Sequence, residues 1–135
     1  MQVTDILSQK GEQVVSMSPD LAIPGAAKLL AQHKIGAAVV AYGDVGIAGI
    51  LSERDITRAV GEHGGKIENM QVKELMIKDV ITCSSACNIA EAMQIMQSNG
   101  IRHLPVLTDD DRVIGVISMR DMMELCVGDM MGMGI

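Results

Sequence analysis

The sequence predicts a mixed α/β (α+β) fold of two β-α-β-β-α repeats, and three observations support this. A seven-residue pattern, Gly-x-x-Ser-x-Arg-Asp, occurs at Gly49–Asp55 and again at Gly115–Asp121, a spacing of 66 residues (115 − 49 = 66). The order of apolar runs and turn residues over Val14–Val60 also recurs at this spacing without a gap, which indicates internal duplication. Because a repeat of about 45 residues is too small to be stable alone, we expect the two to pack with pseudo-two-fold symmetry into one module.

The first repeat is predicted to read strand, helix, strand, strand, helix after a short leading helix. Runs of β-branched and apolar residues predict the strands, whereas apolar residues at helical spacing predict the helices. The expected elements are the leading helix Val3–Leu7, strand Val14–Met17, helix Ala26–His33, strand Ala37–Ala41, a hairpin turn at Tyr42–Gly46, strand Ile47–Leu51, helix Ile56–Val60 and a linker beginning at Gly61–Gly65.

The second repeat is predicted to have the same order. Its leading segment matches that of the first repeat at a spacing of 69 residues (72 − 3 = 69), so the linker differs slightly in length. The expected elements are the leading segment Val72–Met76, strand Val80–Cys83, helix Ile89–Ser98 closed by Asn99–Gly100, strand Ile101–Leu107, a turn at Thr108–Arg112 and strand Val113–Ile117. We place the two domains at residues 7–66 and 73–131, and we expect the methionine-rich end Met130–Ile135 to be frayed.

Composition argues against several classes of partner. The chain has 135 residues, a net charge of −6, one Tyr and no Trp or Phe, so it lacks both the positive charge and the aromatic platforms that bind nucleic acid. No run of about 18 apolar residues indicates a membrane span. The odd number of cysteines, three, favours free thiols in a reducing compartment, and we therefore expect a cytoplasmic protein.

One copy of the repeated pattern has two interpretations. Ser52 and Asp55 can form a capping box. In it, the serine hydroxyl accepts a hydrogen bond from the third helical amide, and the acid accepts one from the serine amide. The same strand-to-helix junction can also bind a nucleotide. There the carboxylate holds ribose hydroxyls, while Arg54 and the helix N-terminus attract phosphate. Two copies in register favour the second interpretation.

Catalytic and metal-binding sets are not expected. No Ser/His/acid or Cys/His arrangement has a sensible spacing, so we predict that the chain is not an enzyme. Cys83 and Cys87 lack further zinc ligands nearby, and Asp109–Asp111 lies in a turn with no downstream calcium ligands, so we predict no metal.

The two Gly-x-x-Ser-x-x-Asp stretches and the segment Asn99–Val106 (Asn-Gly-Ile-Arg-His-Leu-Pro-Val) resemble the cystathionine-β-synthase (CBS) domain family. The resemblance covers about Val3 to Val127 and implies a stand-alone CBS pair, or Bateman module, whose repeats associate through their sheets around two clefts. It also implies a regulatory adenosine-containing ligand, with AMP first and ATP, ADP, NAD(H) or S-adenosylmethionine as alternatives. No other cofactor is implied. The expected partners are a second copy of the chain and a regulated protein in trans.

The resemblance also implies residue roles. Asp55 and Asp121 would hold ribose hydroxyls. The residues near sugar or phosphate would be Ser52, Arg54, Ser118, Arg120, Arg102 and His103, and those lining the adenine pocket would be Val14, Val15, Ser16, Val80, Ile81, Thr82, Leu104 and Pro105. The first repeat has Gly36–Val39 where the second has Arg102–Pro105, so we expect unequal clefts, one of which prefers a phosphorylated ligand.

These observations predict a non-catalytic regulatory module that binds an adenosine-containing ligand and signals to a partner. The alternative is a structural dimerisation or adaptor domain with vestigial clefts. A nucleotide hydrolase would need a general base, for which His103 and the aspartates are the available candidates.

Overall fold

A computed structural model describes residues 1–11, 14–43 and 45–130 of the chain. The helices are α1 Val3–Lys10, α2 Ile23–His33, α3 Glu53–His63, α4 Val72–Leu75, α5 Ile89–Asn99 and α6 Met119–Met130, with a 3₁₀ helix at Gly64–Asn69. The strands are β1 Ser16–Met17, β2 Ala37–Tyr42, β3 Val45–Ser52, β4 Cys83–Ser84, β5 His103–Leu107 and β6 Val113–Ser118.

The strands form two three-stranded sheets, β1-β2-β3 and β4-β5-β6. In each sheet the first pair is parallel and the second is antiparallel. Met17 pairs with Val40 in one sheet, and Cys83 pairs with Val106 in the other, so both sheets keep the same register. The predicted fold class, two β-α-β-β-α repeats, is confirmed.

The chain divides into two compact units that exchange their leading segments. One unit contains the described residues of Met1–Val14 and Ile81–Ile135, and the other contains those of Val15–Val80. The leading helix α1 therefore belongs with the second repeat, where the Val3 amide donates to the Cys87 carbonyl at 3.1 Å. In the other unit, the Val72 amide of α4 donates to the Leu21 carbonyl at 2.8 Å.

Each unit has its own apolar core, to which the exchanged segment contributes. Val3 and Ile6 of α1 are buried in the core of the second repeat, and Val72 of α4 is buried in the core of the first. The buried residues of the first core are Met17, Ile23, Ala26, Leu30, Ala38, Val40, Leu51 and Val72. Those of the second are Val3, Ile6, Cys83, Cys87, Ala92, Met96, Leu104, Val106, Ile117, Met122 and Leu125.

Several element limits differ from the sequence prediction. Helix α2 begins at Ile23 instead of Ala26, because Pro24 occupies the first turn, where a missing amide costs nothing. Strands β1 and β4 span only two residues each, since only those residues pair with the neighbouring strand. Helix α3 continues through Gly61 to His63, so the linker was predicted to begin too early.

Two further predictions involve residues outside the described part of the chain. The turn Tyr42–Gly46 includes Asp44, and the methionine-rich end includes residues 131–135. Among the residues that the structure describes, we find no helix with the length and hydrophobicity needed to cross a lipid bilayer.

Candidate functional site

The first repeated pattern forms a complete capping box at the start of α3. The Asp55 amide donates to Ser52 Oγ at 3.3 Å, and the Ser52 amide donates to Asp55 Oδ2 at 2.9 Å. The Ser52 hydroxyl also donates to Asp55 Oδ2, at 2.9 Å. The Asp55 side chain is only 10% exposed, so these bonds fix the carboxylate at the junction of β3 and α3.

The second pattern repeats this arrangement at the start of α6. The Asp121 amide donates to Ser118 Oγ at 3.1 Å, and the Ser118 amide donates to Asp121 Oδ2 at 2.8 Å. The Met119 amide donates to the Arg102 carbonyl at 2.8 Å, just as the equivalent amide of α3 donates to a carbonyl that precedes β2. The capping interpretation is therefore correct for both copies.

Capping leaves part of each carboxylate open. In both repeats Oδ2 accepts two hydrogen bonds and is saturated, whereas Oδ1 accepts none from the residues that the structure describes. A carboxylate oxygen has two lone pairs, so Oδ1 of Asp55 and of Asp121 can still accept from a hydroxyl. The cap and a ribose can thus use different oxygens of the same side chain.

Lys10 contacts the second junction, and the sequence did not indicate this contact. Its Nζ donates to Asp121 Oδ2 at 2.9 Å and to the Val116 carbonyl at 2.9 Å. This lysine ends α1 and lies more than a hundred residues from its partners in sequence, so no local pattern signals the contact. The only hint is the expected equivalence of Val3 and Val72, which predicts a leading helix but not its position.

The arginines of the two patterns have different surroundings. Arg120 extends along α6 to Glu124, where Nε lies 3.3 Å from Oε1, and its side chain is 83% exposed. Arg54 lines a shallow, open concavity with Glu53, Thr57 and Arg58. Arg58 occupies the position that Glu124 has in the second repeat, so the outer face of α3 carries more positive charge than that of α6.

His103 lies beside the second junction. It pairs in register with Ser118 across β5 and β6, and directly opposed residues of an antiparallel pair have neighbouring side chains. In the first repeat Ala37 pairs with Ser52, so a methyl group replaces the imidazole. Arg102, next to His103, is exposed. The two junctions therefore differ in their neighbouring side chains, and the inequality of the two clefts stays a prediction.

The residues assigned to an adenine pocket have mixed environments. Leu104 is fully buried in the core of its unit, where its side chain packs against other core residues, so its contact with a base stays a prediction. Pro105 is buried as well. Of the others, Val15, Val80, Ile81 and Thr82 are half-buried, while Val14 and Ser16 are exposed.

Cys83 and Cys87 are buried free thiols. Burial raises the pKa of Cys83 to about 12, and the neighbouring Cys87 adds to the rise through its charge and a hydrogen bond. The pKa of Cys87 is also raised, chiefly by burial and then by the charge of Glu91. Over the described ranges, we find no cluster of three His, Cys, Asp or Glu side chains that could hold a metal ion.

Comparison with known proteins identifies both repeats. The CBS domain family model matches residues 3–62 and 72–128. A CBS-domain-containing protein of Agrobacterium tumefaciens is 37% identical and has a TM-score of 0.87, with 93% of this chain and 98% of that one covered. A CBS domain protein of Pyrobaculum aerophilum complexed with AMP is 26% identical, with a TM-score of 0.80 and coverage of 90% and 89%.

Two other relatives extend the comparison. The CBS domain pair of protein MJ0100, complexed with 5′-methylthioadenosine and S-adenosyl-L-methionine, is 25% identical with a TM-score of 0.85, covering 96% of this chain and 98% of that one. The mitochondrial CBS domain-containing protein CBSX3 of Arabidopsis thaliana is 30% identical over 93% of this chain and 64% of its own length. The chain spans between 57% and 65% of the length of three curated relatives that it matches. It belongs to the CBS domain family, as a pair of CBS repeats.

Proposed function

We propose that this chain is a non-catalytic regulatory module that binds an adenosine-containing ligand at the strand-to-helix junctions of Asp55 and Asp121. One observation carries the proposal. Each junction presents a fixed, largely buried carboxylate with one oxygen committed to the helix cap and the other open to a ribose hydroxyl. Further support comes from the similar solved structures complexed with AMP or with S-adenosyl-L-methionine.

AMP is the leading candidate ligand, with ADP, ATP, NAD(H) and S-adenosylmethionine as alternatives. In this proposal, the hydroxyls of Ser52 and Ser118 lie near the sugar, and Arg54, Arg120, Arg102 and His103 provide the positive charge and donors for phosphate. His103 and Arg102 have no counterparts in the first repeat, where Ala37 and Gly36 stand. The junction at Asp121 is therefore the better candidate for a phosphorylated ligand.

We also propose that the module forms a homodimer and transmits ligand occupancy to a regulated protein in trans. Met123 and Val127 lie one turn apart on α6 and are 58% and 52% exposed, which is unusual for large apolar side chains on one helix face. Light scattering should give the mass of a dimer, and Met123→Glu should shift it toward the monomer.

The proposed location is the cytoplasm, since the free thiols Cys83 and Cys87 fit a reducing compartment.

Calorimetry on protein freed of co-purified ligand tests the central proposal. AMP, ATP, NAD(H) and S-adenosylmethionine are titrated separately, and we expect at least one to bind more tightly than about 1 mM, or about −4 kcal/mol. If none of them does, the proposed function is wrong. Nucleotide levels should stay constant during long incubation, since a fall would indicate catalysis.

A structural dimerisation or adaptor domain is the second candidate. The observation that favours it is the capping box itself, which gives Asp55 and Asp121 a structural role without any ligand. This candidate predicts a stable dimer and no response to any adenosine ligand. The same calorimetry therefore separates the two functions.

A further inference from the structure

We propose that Lys10 is part of the ligand site at Asp121, where its ammonium group donates a hydrogen bond to the ribose diol. The site at Asp121 would then select ribonucleotides over deoxyribonucleotides more strongly than the site at Asp55. This inference rests on the proposed function, because it requires that Asp121 binds a ribose.

The position of the Lys10 ammonium is fixed before a ligand arrives. Its Nζ donates to Asp121 Oδ2 and to the Val116 carbonyl, both at 2.9 Å. Lysine has three N–H donors, so these two bonds leave one proton available. The Lys10 side chain is 36% exposed and that of Asp121 is 16% exposed, so the pair is accessible from solvent although it is held in place.

The chemistry of a ribose diol matches this pair. Each hydroxyl both donates and accepts a hydrogen bond, whereas a carboxylate only accepts. Asp121 Oδ1 can accept from one hydroxyl, and the remaining Lys10 proton can be donated to a hydroxyl oxygen. Because the ammonium is already bonded, it loses little further side-chain entropy when the ligand binds.

The first repeat lacks such a donor. There the Ser52 hydroxyl donates to Asp55 Oδ2 and fills the acceptor position that Lys10 fills in the second repeat. The spacing of 69 residues that relates Val3 to Val72 places Asp79, which only accepts hydrogen bonds when ionised, at the position equivalent to Lys10. The nearest cation to Asp55 is the Arg58 guanidinium at 4.0 Å, on a side chain that is 69% exposed.

Removing one site at a time makes the inference testable. In an Asp55→Asn background, which leaves the junction of Asp121 intact, calorimetry gives the affinities for AMP, 2′-deoxy-AMP and 3′-deoxy-AMP. We expect AMP to bind about tenfold more tightly than each deoxy analogue, since one analogue loses the charge-assisted bond to Asp121 Oδ1 and the other loses the bond from Lys10. Lys10→Met should reduce the second ratio to about twofold or less and leave the first, whereas Lys10→Arg should retain most of both.

Two controls separate the effect from a general loss of an ion pair. Lys73→Met removes the 3.0 Å pair between Lys73 and Asp20 in the other unit and should leave both ratios unchanged. In an Asp121→Asn background, Lys10→Met should also leave them unchanged. Circular dichroism melts report on folding. If Lys10→Met unfolds α1, Lys10→Gln is used in its place, because its amide is a neutral donor. The affinity ratio that depends on Lys10 should then lie between the wild-type value and about one.

Three results would overturn the inference. The first is that both ratios are unchanged in Lys10→Met while AMP still binds, which would make Lys10 only a tie between α1 and α6. The second is tighter AMP binding in Lys10→Met, which would mean that the ammonium blocks the carboxylate. The third is a failure of wild-type protein to bind any adenosine ligand, which would overturn the proposed function as well and is therefore recognised before any Lys10 variant is made.

Discussion

At the scale of single residues, Asp55 and Asp121 cap their helices through Oδ2, and the proposed function gives them a binding role through Oδ1. Oδ2 accepts a hydrogen bond from the amide of the serine that precedes each helix, at 2.9 Å for Asp55 and 2.8 Å for Asp121. Oδ1 remains available to a ligand. A substitution that keeps the cap acceptor but removes the charge should therefore separate the two roles.

Asp121→Asn is expected to keep the helix cap and lose ligand affinity. Its amide oxygen can still accept from the Ser118 amide, so we expect the free energy of unfolding to change by less than about 1 kcal/mol. AMP affinity at this site should fall about tenfold. Asp121→Ala should also lose the hydrogen bond from the Ser118 amide to Oδ2, at a cost of about 1 kcal/mol, while Ser118 Oγ still accepts from the amide of residue 121. Urea unfolding and calorimetry measure both quantities, with the exposed turn variant Asp110→Asn as control. Equal affinities in wild type and Asp121→Asn would contradict the ribose role.

The thiol of Cys83 should make stability depend on alkaline pH. An ordinary thiol has a pKa of 9.0, and burial raises the pKa of Cys83 to about 12 in the folded chain. The unfolded chain therefore ionises first, so stability is fully present below pH 9 and declines between about pH 9 and 12. We expect Cys83→Ala to flatten this decline by about 1 kcal/mol per pH unit, measured by urea unfolding at pH 8 and 10.5. Identical slopes for variant and wild type would refute this.

At the scale of elements, the glycine of each pattern permits a leading segment to pack closely on a strand. A Cβ at Gly49 would lie 2.9 Å from the Ile77 backbone oxygen and 2.7 Å from Met76 Sδ. A Cβ at Gly115 would lie 2.5 Å from Leu7 Cδ2, which is the movable end of a side chain. The two glycines therefore serve the same purpose but meet partners of different rigidity.

Gly49→Ala should destabilise the chain more than Gly115→Ala. The Ile77 carbonyl is bonded to the Ile50 amide at 3.0 Å and cannot move without breaking that bond, so we expect a cost of about 1–3 kcal/mol. Leu7 can rotate away at lower cost. Gly61→Ala in α3 is the control, because a Cβ there meets nothing within 4 Å and should stabilise by about 0.5–1 kcal/mol. Thermal melts of the three variants give the order, and equal losses for Gly49 and Gly115 would contradict the argument.

At the scale of the whole molecule, each compact unit combines one repeat with a leading segment from elsewhere in the sequence. Helix α1 supplies Val3 and Ile6 to the core of the second repeat and Lys10 to its junction. The ranges 7–66 and 73–131 follow the sequence repeats. As domain boundaries they stay a prediction.

Deleting residues 1–10 should affect the two units unequally. The second repeat would lose the apolar contacts of Val3 and Ile6, whereas the first would lose none of its core residues. Hydrogen exchange should accelerate in β5 and β6 by more than tenfold relative to β2 and β3, because local stability follows lost burial. Uniform acceleration in both sheets would show that α1 stabilises the chain as a whole. AMP affinity at Asp121 should also fall, since Lys10 is removed.

The sequence alone determined the duplication, the order of strands and helices, and both capping boxes, because each depends on residues that are close together or recur at a fixed spacing. Gly100, for example, adopts the left-handed φ of 62° that ends α5, as the pair Asn99–Gly100 predicts. Only the tertiary structure revealed the core position of Leu104, the exchange of leading segments and the contacts of Lys10. Lys10 meets its partners across 106 and 111 residues of sequence, and such contacts arise from the packing of α1 on a distant strand, which no local pattern encodes.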